Sequence, residues 1–136
     1  MLSGFQWMQQ QERKGSMAKI LVLDDVLDAA TLIKRILERK GHAVFPFTEE
    51  EEAVRFAKES GADLAILDIK LKKMSGVDVL EELKKIDPDI RVIMLTGYPT
   101  IETARESLKK GAAEYCVKPI DKDELEEKVE QVLKGS

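Results

Sequence analysis

Between Lys19 and Lys134 the chain alternates between short runs of consecutive apolar residues and longer stretches in which apolar positions recur every three or four residues. The runs, near 19–23, 43–47, 64–68, 91–95 and 114–117, are too short for buried helices and read as strands covered on both faces. The stretches between them have helical spacing. Leu32, Ile33, Ile36 and Leu37 share a face in 27–39, followed by Ala53, Phe56 and Ala57 in a segment ending near Gly61, and by Val79, Leu80 and Leu83 in 76–86. A fourth helix is expected over about 100–110, and a last one carries Leu125, Val129, Val132 and Leu133 as its apolar stripe. Thr48 with Glu51, and Asp121 with Glu124, form capping patterns that predict helix starts, while Gly41 and Asp87-Pro88 predict stops. Five strands alternating with five helices are consecutive βαβ units, and right-handed crossovers put helices on both faces of a doubly wound, five-stranded parallel α/β sheet. The second strand is short, with more polar surroundings, and fits an edge.

Four of the runs end on residues that carry chemistry: Asp24-Asp25, Asp68, Thr96 and Lys118. In a parallel sheet the carboxyl ends of the strands share one edge, where open α/β folds keep their ligands. Taken singly, each residue has an ordinary explanation. The Asp pair serves as a helix cap or turn, Thr96 as a strand-end hydroxyl and Lys118 as a solvated amine. Taken together, three carboxylates repel one another unless a cation neutralises them, and the hard oxygen donors suit Mg²⁺ with water and phosphate. Asp68, flanked by the acidic pair and Lys118, is the natural nucleophile toward phosphorus, and Gly97 leaves room for a phosphoryl group near the backbone.

Composition narrows the class. One domain accounts for 136 residues, and a formal net charge of −4 with a pI near 5.2 argues against a surface built for nucleic acid. Cys116, the single cysteine, lies within an apolar run and reads as a core thiol rather than a catalytic or metal-binding one. No apolar stretch reaches the ~18 residues of a membrane span and no signal-peptide pattern opens the chain, so a soluble, cytoplasmic protein is expected. Residues 1–16 differ in texture from the rest of the chain, with a glutamine cluster, Trp7 and a Gly15-Ser16 junction like a fusion scar. They are expected to be an N-terminal leader or tag outside the fold, residues 17–136 forming the domain. The alternative is a short helix in which Phe5, Trp7 and Met8 pack on a domain surface.

The stretches LVLDD, LAILDIKLKKMSG, VIMLTGY and AEYCVKP, in that order and at close to the family's spacings, resemble the receiver domain of two-component response regulators across Ala18 to Lys134. The segment VIMLTGYPTIETARESLKKGAAEYCVKPI is further similar to receivers of sigma-54-dependent activators. The resemblance implies a flavodoxin-like (βα)5 fold and a signalling phosphoacceptor that catalyses its own phosphorylation and dephosphorylation. Asp68 would be the acceptor. Mg²⁺ would be held by Asp25, Asp68 and the backbone carbonyl of Lys70, with Asp24 acting through water. Thr96 and Lys118 would hold the phosphoryl oxygens, Tyr115 would be the switch aromatic, and the Lys118-Pro119 peptide would be cis.

The same resemblance implies a sensor histidine kinase or phosphotransfer protein as donor. It also implies a downstream output domain or protein reached through the face formed by helix four, strand five and helix five, with a homodimer as a further partner. His42, in the turn before strand two, is away from the expected edge and reads as a solvated histidine. Lys72 departs from the family pattern, which commonly has proline four residues after the acceptor; with Lys70 and Lys73 it makes a basic loop that is either a solvated charge run or a device acting on the phosphoryl group. The competing class is a phosphorylation-independent receiver-like scaffold, which has no need of all five polar residues. A flavin module or a phosphatase on the same fold would need a phosphate loop or an Asp-x-Asp motif after strand one, and Asp24-Asp25-Val26-Leu27 supplies neither.

Overall fold

The computed structural model describes residues 17–135. Five strands, β1 (Lys19–Leu23), β2 (Ala43–Phe47), β3 (Leu64–Leu67), β4 (Arg91–Thr96) and β5 (Glu114–Val117), alternate with five helices, α1 (Leu27–Glu38), α2 (Glu50–Glu59), α3 (Gly76–Ile86), α4 (Ile101–Lys109) and α5 (Lys122–Lys134). All strands pair in parallel in the order β2-β1-β3-β4-β5, the doubly wound arrangement expected from the alternating pattern. β2 is an edge strand, and Pro46 within it needs no ladder donor on its open side.

Successive residues of the central strands feed two separate cores, as the two-residue period of a strand requires. Ile20, Val22, Leu64, Ile66, Ile93 and Leu95 face α1 and α5, where they meet Ala30, Ile33, Leu37, Leu125, Val129 and Val132. Leu21, Leu23, Ala65, Leu67, Val92 and Met94 face α2 and α3, where they meet Ala53, Ala57, Val79, Leu80 and Leu83. Truncating a fully buried member such as Leu80 or Ile66 to alanine costs about 2–5 kcal/mol, through lost burial and the cavity left behind. Cys116 is buried in the first core, and its thiol is pushed up in pKa mainly by that burial. Gly41, with φ of 95°, turns the chain out of α1 in a conformation that a side chain would strain.

Three expectations are corrected. Leu32 is exposed, because Ala30, Ile33 and Leu37 form the stripe that α1 buries and Leu32 sits off it. Thr48 and Glu51 make no capping box: the N-cap is Glu49 without a side-chain cap, while Glu50 turns inward and Glu51 outward to Lys73. His42 is buried rather than solvated. Its Nδ1 accepts the Ala18 N–H at 3.1 Å, tying the turn before β2 to the start of β1. Among the described residues no helix is long and apolar enough to cross a membrane. The expected leader at 1–16 lies outside the described residues.

Candidate functional site

Because β1, β3, β4 and β5 are neighbours in the sheet, the residues at their carboxyl ends meet at one edge. Backbone hydrogen bonds continue the ladder just far enough to hold them there: Asp68 N–H donates to the Leu23 carbonyl at 3.0 Å and Lys118 N–H to the Thr96 carbonyl at 2.8 Å. Asp24, Asp25 and Asp68 each offer a carboxylate oxygen, all within 4.8 Å of one another. Lys118 reaches across with its ammonium 2.5 Å from Asp24 Oδ2 and 3.1 Å from Asp68 Oδ2. Burial alone would lower the Lys118 pKa, but the hydrogen bonds and charges of Asp24 and Asp68 more than reverse this and keep the amine protonated.

The two buried carboxylates are oriented by backbone donors. Asp24 Oδ1 accepts the Val26 N–H at 2.9 Å, an Asx-type turn that leaves Oδ2 for Lys118. Asp68 Oδ1 accepts the N–H groups of Ile69 at 2.7 Å and Lys70 at 3.4 Å, so its Oδ2 faces Lys118. Asp25 is half-buried, with neither carboxylate oxygen hydrogen-bonded among the described residues. Three carboxylates against one ammonium leave two formal negative charges, which one divalent cation would balance. The donor set is oxygen throughout and open on one side, so it fits a hard cation such as Mg²⁺ with water or phosphate completing the shell.

The loop after Asp68 is pinned at close quarters. Gly76 N–H donates to the Ile69 carbonyl at 2.7 Å, and a Cβ on Gly76 would fall 1.9 Å from the Asp68 carbonyl oxygen, an approach that excludes any side chain. Ser75 Oγ caps α3 by accepting the Val77 N–H. The basic side chains of this loop are engaged: Lys72 lies 3.7 Å from Glu49, Lys73 lies 2.9 Å from Glu51, and the Lys70 ammonium lies 4.3 Å from the centroid of the Tyr98 ring.

Thr96 is fully buried at the end of β4, its Oγ1 accepting the Tyr98 N–H at 3.0 Å. Tyr115 is half-buried, and its hydroxyl lies 2.8 Å from Thr103 Oγ1 and accepts the Thr100 N–H at 3.4 Å. Thr100 and Thr103 are themselves the reciprocal capping box of α4. The Lys118-Pro119 peptide bond is cis. The edge thus gathers Asp24, Asp25, Asp68 and Lys118 around one point, with Thr96 on the adjoining strand and Tyr115 one step outward against α4.

Sequence reasoning missed Glu50, Tyr98 and the Thr100/Thr103 box. The T-x-x-T spacing was a signal for the last. Nothing in the Glu49–Glu52 run distinguished Glu50 from its less buried neighbours.

The sequence profile of the response regulator receiver domain matches residues 20–130. The chain is 35% identical over 114 residues to the transcriptional regulatory protein ZraR of Escherichia coli (strain K12), covering 84% of this chain and 26% of that protein, so it spans about a quarter of such regulators. It is 32% identical over 115 residues to sporulation initiation phosphotransferase F of Bacillus subtilis (strain 168), covering 85% of this chain and 93% of that one. A crystal structure of a CheY-like response regulator receiver domain protein from Methanospirillum hungatei JF-1 superposes with a TM-score of 0.85 at 34% identity, over 88% of this chain and 95% of that one. A profile match over nearly the whole folded region and agreement in fold converge on one conclusion: the chain belongs to the response regulator receiver domain family.

Proposed function

We propose that this domain accepts a phosphoryl group on Asp68 from the phosphohistidine of a sensor kinase or phosphotransfer protein, and that the modification alters its α4–β5–α5 face to control an output partner. The observation that carries this is the orientation of Asp68. Backbone N–H groups hold Oδ1 while Oδ2 faces Lys118 at 3.1 Å, next to two further carboxylates. Oδ2 attacks phosphorus as the P–N bond of the donor breaks, the electron pair leaving with the imidazole nitrogen. Bound through Asp25, Asp68 and the Lys70 carbonyl, with Asp24 acting through water, Mg²⁺ would offset the charge that otherwise repels an anionic donor. Lys118, held protonated between Asp24 and Asp68, moves with the transferred charge and binds a phosphoryl oxygen.

The hydroxyl of Thr96 donates to another phosphoryl oxygen by turning from the Tyr98 N–H that it now accepts. That exchange loosens the Gly97–Thr100 connection, which leads directly into the α4 cap and so to Tyr115. Such a switch is a population shift, and phosphorylation biases it only through contacts made in one state.

Incubation with acetyl phosphate and Mg²⁺, followed by intact-mass measurement, tests the proposal. One added phosphoryl group is expected, dependent on Mg²⁺ and absent from Asp68→Asn. Equal labelling of Asp68→Asn, or no labelling of the wild type at saturating Mg²⁺, returns the domain to a phosphorylation-independent scaffold.

A further inference from the structure

Glu50 is the one glutamate of the Glu49–Glu52 run that is buried, with 1% of its surface exposed at the first turn of α2. Its Oε2 accepts two successive N–H groups of the β3–α3 loop, Lys73 at 2.6 Å and Met74 at 3.0 Å, while Oε1 is buried without a partner among the described residues. A buried carboxylate is costly unless it is paired, and here Oε2 accepts from backbone 23 and 24 residues away. Burial pushes its pKa up, but its own backbone N–H, those of Lys73 and Met74, and the Lys73 charge hold it below the usual carboxylate value. Glu49 and Glu51 on either side take the ammonium groups of Lys72 and Lys73. The first turn of α2 therefore grips the loop by both its backbone and its side chains.

That loop begins at Asp68 and includes Lys70. Its far end is fixed by Gly76, which packs against the Asp68 carbonyl. Between these anchors, Glu50 is the acceptor for the backbone N–H groups of Lys73 and Met74. We propose that Glu50 is a positioning residue for the metal site, a carboxylate brace from α2 that fixes the path of the loop and with it the Lys70 carbonyl and Asp68. The proposal rests on the reading of this edge as a Mg²⁺-dependent phosphoacceptor site. It predicts that reach matters more than charge. Glutamine keeps an oxygen at the same distance, whereas aspartate keeps the charge but retracts the oxygen by one methylene.

The test is Mg²⁺ binding by calorimetry to the purified chain and to Glu50→Gln, Glu50→Asp and Glu50→Ala, with circular dichroism to show the folded fraction. Amide hydrogen exchange at Lys73 and Met74 is followed in the same samples. Aspartate and alanine are expected to weaken Mg²⁺ binding about tenfold, the low end for residues that orient ligands from outside the coordination shell, and to lose protection at both amides. Glutamine is expected to retain most of both. The Mg²⁺ concentration for half-maximal labelling by acetyl phosphate should rise in parallel, with the rate at saturating Mg²⁺ close to wild type.

Wild-type Mg²⁺ affinity in folded Glu50→Ala or Glu50→Asp overturns the proposal, as does a wild-type chain that binds no Mg²⁺. A defect in glutamine that aspartate escapes overturns it too, because charge at the helix start would then be the cause. If alanine fails to fold, the aspartate and glutamine pair decides. A wild type that binds Mg²⁺ but takes up no phosphoryl group defeats the phosphoacceptor reading alone and leaves the binding comparison to judge Glu50.

Discussion

The hydroxyl of Tyr115 lies 2.8 Å from Oγ1 of Thr103, so the middle of β5 is tied to the first turn of α4. This tie is one of few that α4 possesses. Its only fully buried residue is Ser107, whose hydroxyl finds no partner among the described residues, and its large apolar residues Ile101 and Leu108 are exposed. Tyr115→Phe removes the hydrogen bonds to Thr103 and to the Thr100 N–H while keeping the ring. The expected loss in urea denaturation is about 0.5–1.5 kcal/mol, the usual net worth of such a bond. Amides of α4 should exchange faster while those of α1 and α3 are unaffected, and unchanged protection across α4 in the variant would show that the tie does not seat the helix.

Thr96 stands at the other end of the same connection. Its Oγ1 accepts the Tyr98 N–H, a contact expected to be given up when the side chain turns toward a phosphoryl oxygen. Thr96→Ala should accept phosphate at Asp68 yet lose much of the coupling to β5 and α4, whereas Thr96→Ser retains the hydroxyl and the coupling. Chemical shifts of Tyr115 and Thr103 measured with and without acetyl phosphate give the readout. An equal response in wild type and alanine variant would remove Thr96 from the switch.

The sheet was legible because fully buried parallel strands leave an unambiguous trace, as in Leu64–Leu67, and because Asp68, Thr96 and Lys118 each close such a run. Strand order then brings them together without further information. What stayed hidden depends on tertiary contacts across long separations. Glu50 looks like Glu49 and Glu51 until the β3–α3 loop folds against α2, and His42 looks solvated until Ala18 presents its N–H. Leu32 shows the limit of periodicity: on α1 it lies beside the buried stripe, and only packing decides which apolar positions are covered.

His42 makes stability depend on pH near neutrality. Burial lowers its pKa below the ordinary 6.5, with Glu130 opposing and Lys40 assisting, and its Nδ1 must stay unprotonated to accept the Ala18 N–H. The unfolded chain therefore binds this proton more readily than the folded one. The stabilising contribution is complete above about pH 6.5 and is lost as pH falls from there through the lower folded value, by at most about 1.4 kcal/mol per pH unit. Urea midpoints between pH 7.5 and 5.5 should fall for the wild type and run flatter for His42→Asn. Parallel curves would mean that other groups set the dependence.

Lys70 is expected to bear on the lifetime of a phosphoryl group at Asp68. Its backbone N–H already touches Asp68 Oδ1 at 3.4 Å, and its ammonium rests 4.3 Å from the centre of the exposed Tyr98 ring, a contact worth about 0.5–1 kcal/mol in such a setting. The side chain is thereby stationed between the loop after β3 and the loop after β4, beside the mouth of the site. An ammonium there would attract an anionic phosphoryl group and obstruct the water that hydrolyses an aspartyl phosphate, while opposing Mg²⁺ before phosphorylation. For the phosphorylated protein attraction and obstruction act in the same direction, so Lys70→Ala should lose its phosphoryl group several-fold faster in excess Mg²⁺. Tyr98→Ala, which removes only the seat of the ammonium, should shift the rate the same way by less. An unchanged or slower rate in Lys70→Ala would make the ammonium a surface charge resting on an aromatic ring, with no hold on the chemistry at Asp68.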